Sequence, residues 1–165
     1  MTRPILKTAN DASIALMPQV LPQTIPVLSL QAFLAGSPAD QQAFVRQLGQ
    51  ALEAIGFFAL TDHGIDTALI QSAYAAAAAL FTLPSAVKSQ YENRALNGQR
   101  GFTAFGREHA KDSPHADLKE FWHIGSEHTV PNNLWPQEVP AFKSTMLNLF
   151  QQLDRCASIL LEACA

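Results

Sequence analysis

Five histidines and two cysteines are the residues of this sequence best suited to bind a metal or act as nucleophiles, and their spacing limits what they could do. His115, Ala116 and Asp117 spell His-x-Asp, and His123 and His128 follow shortly after. Two imidazoles and one carboxylate on one face would leave open positions on an iron(II) ion for other ligands. A metal site of His115, Asp117 and His128 is therefore the sharpest chemistry the residues alone suggest, and it would make the chain a self-contained metal hydrolase or oxygenase.

The other reactive side chains read more simply. Cys156 and Cys164 stand eight positions apart in a helical segment, about 12 Å along the axis at ~1.5 Å per residue, beyond disulfide reach. Neither has the neighbouring histidine or glycine-rich turn that activates a thiol, so both are expected to be reduced core cysteines. His63 lies at a turn, where its ring is expected to bind a backbone carbonyl or cover the end of a strand; Asp62 and Asp66 beside it suit a turn and a helix cap. Lys119 and Glu120 are adjacent in a predicted strand and point to opposite faces, so one is expected to form an ion pair and the other to meet solvent. Trp122 and Trp135 are read as core anchors.

Composition sets the frame for these residues. The chain has 165 residues, 48% of them hydrophobic and 15% charged, and its net charge of −3 comes from 14 acidic and 11 basic side chains with no run of either sign. That is enough to build one cored domain, and it excludes the basic footprint of a nucleic-acid binder. Asn10 and Asp11 interrupt the N-terminus before an apolar stretch forms, so no secretory signal is read and a cytoplasmic protein is expected. The uncharged stretch 67–87 contains Gln71, Ser72, Thr82 and Pro84 and is read as a helix outside any membrane.

The elements that must position these residues follow from periodicity. Residues 1–24, with Pro4, Pro18 and Pro22, are expected to be an arm, and residues 25–165 a single domain. IPVLSL at 25–30 predicts a short strand. Ser37, Pro38 and Asp40 start a helix whose apolar stripe is Phe44, Val45, Leu48, Leu52 and Ile55, ending at Gly56. Residues 57–61 predict a buried strand, and Asp66 caps a helix that ends before Pro84. Residues 93–116 read as a long loop, the kind that often shapes a site. Residues 117–124 predict a strand. A last helix from about Pro140 has its stripe at Phe142, Met146, Leu149, Phe150, Leu153, Ala157, Leu160, Leu161 and Cys164.

Six phrases in order carry a resemblance: IPVLSL at 25–30, GFFALTDHGI at 56–65, LFTLPSAVK at 80–88, RGFTAFGREHA at 100–110, DLKEFWHIG at 117–125 and NLWPQEVPAF at 133–142. Together they resemble the N-terminal region of the isopenicillin N synthase-like family of non-haem iron oxygenases. Ser29 stands where that family usually has an aspartate, and Asp62 where asparagine or glycine is common before His-Gly. The resemblance implies a mixed α/β, helix-rich fold: the helical and strand buttress of a double-stranded β-helix (jelly-roll) oxygenase, with the catalytic jelly-roll absent from this chain.

The resemblance also implies where the chemistry sits. In the family, iron is held by His-x-Asp and a distant histidine, and the far carboxylate of 2-oxoglutarate by an Arg-x-Ser pair, whose planar fork suits it. These lie beyond the region matched here. No catalytic or metal-binding residue and no cofactor is then expected in this chain, while iron(II) and 2-oxoglutarate are implied for the full-length family member. His115 and Asp117 fall in a phrase upstream of the family's ligands, and neither His123 nor His128 is followed by Arg-x-Ser, so the set with His128 reads as chance spacing. Arg100, Phe102 and Arg107 fall in the loop that, by resemblance, approaches the mouth of the jelly-roll, which makes them the substrate-contact candidates.

The expected function is the N-terminal non-catalytic portion of a dioxygenase acting on a small molecule, inactive alone. The alternative is a stand-alone helical binding or scaffold module of the same origin. Expected partners are the missing C-terminal jelly-roll half and, in the full-length form, the substrate, with no nucleic acid and no membrane. The last helix closes on LLEACA without a terminal glycine, asparagine or cation, so the reading frame is expected to continue. An isolated fragment is expected to expose apolar surface and self-associate.

Overall fold

A computed structural model describes residues 24–109, 111, 114–129 and 132–165, so the expected arm lies outside the described residues but for its last position. Strand β1 (Val27–Ser29) runs directly into a short helix α1 (Leu30–Ala35). The sequence reading of 25–30 as one strand missed this helix, because Leu30 is fully buried as the first residue of α1 rather than the last of a strand.

Helix α2 (Pro38–Ala54) begins as expected. Ser37 Oγ accepts from Asp40 N–H while the Asp40 carboxylate accepts from Ser37 N–H at 2.9 Å, a reciprocal cap with proline in the first turn. Gly56 follows its C-terminus at φ 90°. Its buried line is Phe44, Leu48 and Ala51, one position round from the predicted stripe; Val45 and Leu52 are exposed. A small alanine faces the neighbouring elements, and the larger residues flank it.

Strand β2 (Ala59–Thr61) pairs in parallel with β1, Leu28 opposite Leu60. It is shorter and less buried than predicted, with Ala59 and Thr61 exposed, because a two-stranded sheet has two edges and only one covered face. Asp62, at φ 51°, turns the chain toward Asp66, whose side chain accepts from Ala68 N–H and caps α3 (Thr67–Thr82). Helix α3 packs on the long last helix α5 (Ala141–Cys164), its small residues Ala73 and Ala76 allowing close approach. After Pro84 the chain bends by 105° into a single turn α4 (Ser85–Lys88). No single helix among the described residues is long and apolar enough to cross a membrane.

The stretch 93–116 is more regular than a loop. It contains strand β3 (Gly101–Thr103), antiparallel to β4 (Phe121–His123), with Phe102 opposite Trp122. Strand β4 is shorter than the predicted 117–124, since the residues before Phe121 turn aside to form ion pairs. Gly101 has to be glycine: at φ 75° an added Cβ would meet Tyr91 O at 2.5 Å and Leu134 Cδ1 at 2.7 Å. The four strands form two small two-stranded sheets.

Helix α5 buries Phe142, Cys156 and Ala163, whereas Leu153 and Leu161, both in the predicted stripe, are exposed. It joins two apolar clusters. One holds Leu28, Leu30, Phe44, Leu48, Cys156 and Ala163. The other holds Ala76, Leu80, Val139 and Phe142, with Trp122 and Trp135 against it.

Candidate functional site

The β3–β4 pair and the turns beside it gather the polar chemistry. Lys88, 4% exposed, ends α4 underneath β3. Its Nζ donates to both Glu120 oxygens at 2.8 and 2.9 Å and to Phe81 O at 3.0 Å, and lies 5.5 Å from the centre of the Phe102 ring. A buried ammonium needs this much: a carboxylate, a carbonyl and aromatic faces that offset its lost hydration. No spacing rule would pair residues so far apart in sequence.

Arg107 forms a two-point pair with Glu92, Nε to Oε1 at 2.7 Å and Nη2 to Oε2 at 3.0 Å. Together with Phe102, Thr103, Asn97 and Glu108 they line a cavity of about 300 Å³. Lys119 bridges Glu108 at 2.9 Å and Asp117 at 3.2 Å, and these partners, Glu108 before Asp117, raise its pKa above the usual lysine value. Both Lys119 and Glu120 are therefore ion-paired, which corrects the expectation that one would meet only solvent. Tyr91 accepts from Gln137 N–H, which favours the phenolate, but burial and the bond it donates to Glu138 outweigh this and raise its pKa.

Arg100 lies across Gly125. Its Nη1 donates to Gln99 O at 2.6 Å and its Nη2 approaches Thr129 Oγ1 at 3.4 Å. Gly125 is held by Asn133, which accepts from its N–H and donates to its carbonyl, both at 2.8 Å. Among the described residues the buried side-chain polar atoms without a partner are Arg100 Nε, Thr103 Oγ1 and Trp122 Nε1. All three belong to this one region, whereas buried side-chain polar atoms elsewhere among the described residues are satisfied, as they usually are.

The three substrate-contact candidates therefore share a neighbourhood but differ in availability. Phe102 is 2% exposed and committed to the core. Arg107 is exposed but paired with Glu92, and Arg100 is partly buried with no carboxylate within 4.0 Å among the described residues. Sequence reading missed Lys88, Glu92, Gly125 and Asn133, whose roles depend on partners distant in sequence.

The described residues do not fit a metal ion. No three of His, Cys, Asp and Glu converge among the described residues. Asp117 is engaged by Lys119, and His128 lies past the Ser126 turn, where its N–H donates to Ser126 Oγ. His123 uses Nδ1 on Gly98 O. His115, Asp117 and His128 are thus not brought together as a ligand set.

Separately, α3, α5 and the end of β2 frame an apolar groove of about 470 Å³, lined by Leu60, Ile70, Tyr74, Met146, Leu149 and Leu153. His63 also borders it. Its ring makes a backbone bond, but to an N–H rather than a carbonyl: Ile65 N–H donates to His63 Nδ1 at 3.1 Å. Cys156 at its floor is free and buried, and burial raises the thiol pKa; Cys164 is free and exposed, not the core thiol expected.

Comparison with known proteins agrees with the six phrases. The family described as non-haem dioxygenase in morphine synthesis N-terminal matches residues 25–138. Proline hydroxylase buaE of Petromyces alliaceus is 31% identical over 138 residues, covering 79% of this chain and 42% of that protein. Validamycin A dioxygenase of Streptomyces hygroscopicus subsp. limoneus is 26% identical, covering 86% and 42%. Among solved structures, a 2OG-Fe(II) oxygenase family protein from Caulobacter crescentus superposes with a TM-score of 0.71 at 38% identity, covering 86% of this chain and 47% of that one. A full-length Neurospora crassa protein in complex with alpha-KG gives 0.75 at 26% identity, covering 86% and 46%. The chain spans less than half the length of each of these relatives.

Proposed function

The chain belongs to the iron(II)/2-oxoglutarate-dependent dioxygenase family through its N-terminal region, and from that premise we propose that it supplies the non-catalytic buttress of an oxygenase acting on a small molecule. The observation that carries the reading is the unbroken family match over residues 25–138 in a segment where His115, Asp117 and His128 do not converge. Iron(II) and 2-oxoglutarate would be held by a jelly-roll half, and this chain alone would be inactive.

In this reading the two faces have separate tasks. The apolar groove between α3 and α5 is the surface against which a jelly-roll half packs, since Tyr74 and Leu153, 75% and 50% exposed, otherwise leave a contiguous apolar patch in water. The β3–β4 region faces the substrate with Arg100 and Arg107, while Phe102 anchors it to the core. The cytoplasm remains the expected compartment.

The test is a chimera in which residues 25–165 replace the matched segment of the Caulobacter relative, assayed for succinate formed from 2-oxoglutarate. The chimera is expected to form succinate, and the chain alone to form none. Histidine-dependent iron with turnover in the chain alone, or a folded chimera that forms no succinate, overturns the reading.

A further inference from the structure

We propose that Arg100 is a preset oxyanion-recognition group, and that the small molecule meeting this region carries a carboxylate or phosphate there. The assignment rests on the reading of β3–β4 as the substrate-facing side.

The argument starts from charge. Among the described residues two cations are wholly or partly buried, Lys88 and Arg100. Lys88 Nζ bonds both Glu120 oxygens, whereas Arg100 has no carboxylate within 4.0 Å among the described residues. A guanidinium carries five N–H donors and no acceptor. Here one donor is taken by Gln99 O, a second reaches Thr129 only at 3.4 Å, and Nε is sealed without a partner. A freely solvated arginine would keep all its donors in water.

The backbone beside the group leaves room for it. Gly125 has no left-handed φ that would demand glycine, yet an added Cβ would overlap the Arg100 guanidinium itself. Glycine leaves the space the guanidinium occupies, and a side chain there would displace it. Asn133 then pins Gly125 from both sides at 2.8 Å. A planar fork that is only partly engaged and has no carboxylate partner among the described residues is matched to a two-oxygen anion.

The experiment follows the Gly125 amide and the Arg100 Nε–H signals of the ¹⁵N-labelled chain during titration with inorganic phosphate, 3-phenylpropionate and the neutral 3-phenylpropionamide. Saturable shifts from one or both anions, and none from the amide, are expected; which anion acts distinguishes phosphate from carboxylate. Arg100→Gln should weaken the response about tenfold or more, read at Gly125. Arg100→Lys should keep part of it, since charge remains and the fork is lost. Gly125→Ala, which displaces the guanidinium while leaving its charge, should weaken it as well. Absence of a saturable shift from either anion, or an unchanged response in folded Arg100→Gln and Gly125→Ala proteins, overturns the proposal. If the chimera still forms succinate while Arg100 stays silent, this assignment alone fails; if Arg100 responds but the chimera is inert, the substrate-facing reading fails and the anion is no oxygenase substrate.

Discussion

The cluster around Phe44 and Leu48 is aliphatic and is assembled from α1, α2, β1 and the C-terminal half of α5. The cluster around Phe142 is aromatic: Trp122 meets Phe142 edge-on at 5.6 Å and Trp135 meets it at 6.4 Å, where α5 begins and β4 passes. Beside the first, the polar bonds are neutral or capping ones: the local cap Ser37–Asp40 and the longer-range bond from Thr61 Oγ1 to Leu28 O at 3.3 Å. Beside the second lie a buried ammonium, a two-point arginine pair and all the unpartnered buried polar atoms among the described residues. The contrast is between a scaffold and a candidate site: apolar burial and local propensity account for the first region, while the second carries unmet polar groups of the kind found at functional surfaces.

The comparison is broken most directly at Phe142, a fully buried side chain that both tryptophans contact. Phe142→Ala should cost about 3–5 kcal/mol in urea unfolding and lower the tryptophan near-UV signal. Val45→Ala, on the exposed flank of α2, should stay within about 0.5 kcal/mol. A Phe142→Ala cost below about 1 kcal/mol would show that the aromatic cluster is not a core.

The next largest effect should come from Lys88. Lys88→Met removes the charge but strands Glu120, whose side chain is 17% exposed. The loss should be about 2–4 kcal/mol, below the full range for breaking a buried pair because Glu120 keeps some water. The double change Lys88→Met with Glu120→Leu should recover most of it. A double mutant no more stable than Lys88→Met would mean that the aromatic and carbonyl contacts of Lys88, and not its pairing with Glu120, hold α4 to β4.

Legibility in the sequence followed the same divide. The start of α2 could be read from Ser37, Pro38 and Asp40, and that of α3 from Asp66, because a cap is a local bond between near neighbours. The stripes were displaced at Val45, Leu52, Leu153 and Leu161 because periodicity gives a face's direction but not which side of it meets a neighbour. Strand β3 was hidden in Arg100-Gly101-Phe102, where glycine reads as a loop signal and its true cause, the approach of Tyr91 O and Leu134, lies elsewhere in the chain. Of the candidate site, Arg100 and Arg107 were visible by resemblance. Their difference was not, since Arg107 has Glu92 and Arg100 has no carboxylate partner among the described residues, and such pairing is a tertiary fact.

The smallest effect tests the scaffold side of the comparison, at the start of α2. Ser37 Oγ donates to Asp40 at 2.7 Å, and this bond first, then the Ser37 backbone N–H, holds the Asp40 pKa below its usual value. A carboxylate with a depressed folded pKa contributes stability that is present above the unfolded value of about 3.9 and is lost as pH falls through the folded one. Ser37→Ala should therefore destabilise the chain by about 1 kcal/mol near neutral pH, with the difference from the parent shrinking as pH drops below about 4. The measurement is a pair of urea titrations across that range. Because Ser37 and Asp40 are exposed at the start of α2 and bond each other, the Arg100 response to anions should be unchanged in the same variant. A Ser37→Ala protein whose deficit is independent of pH would assign the loss to the hydroxyl alone, and one that also loses the Arg100 response would show that the two regions are coupled through α5 rather than separate.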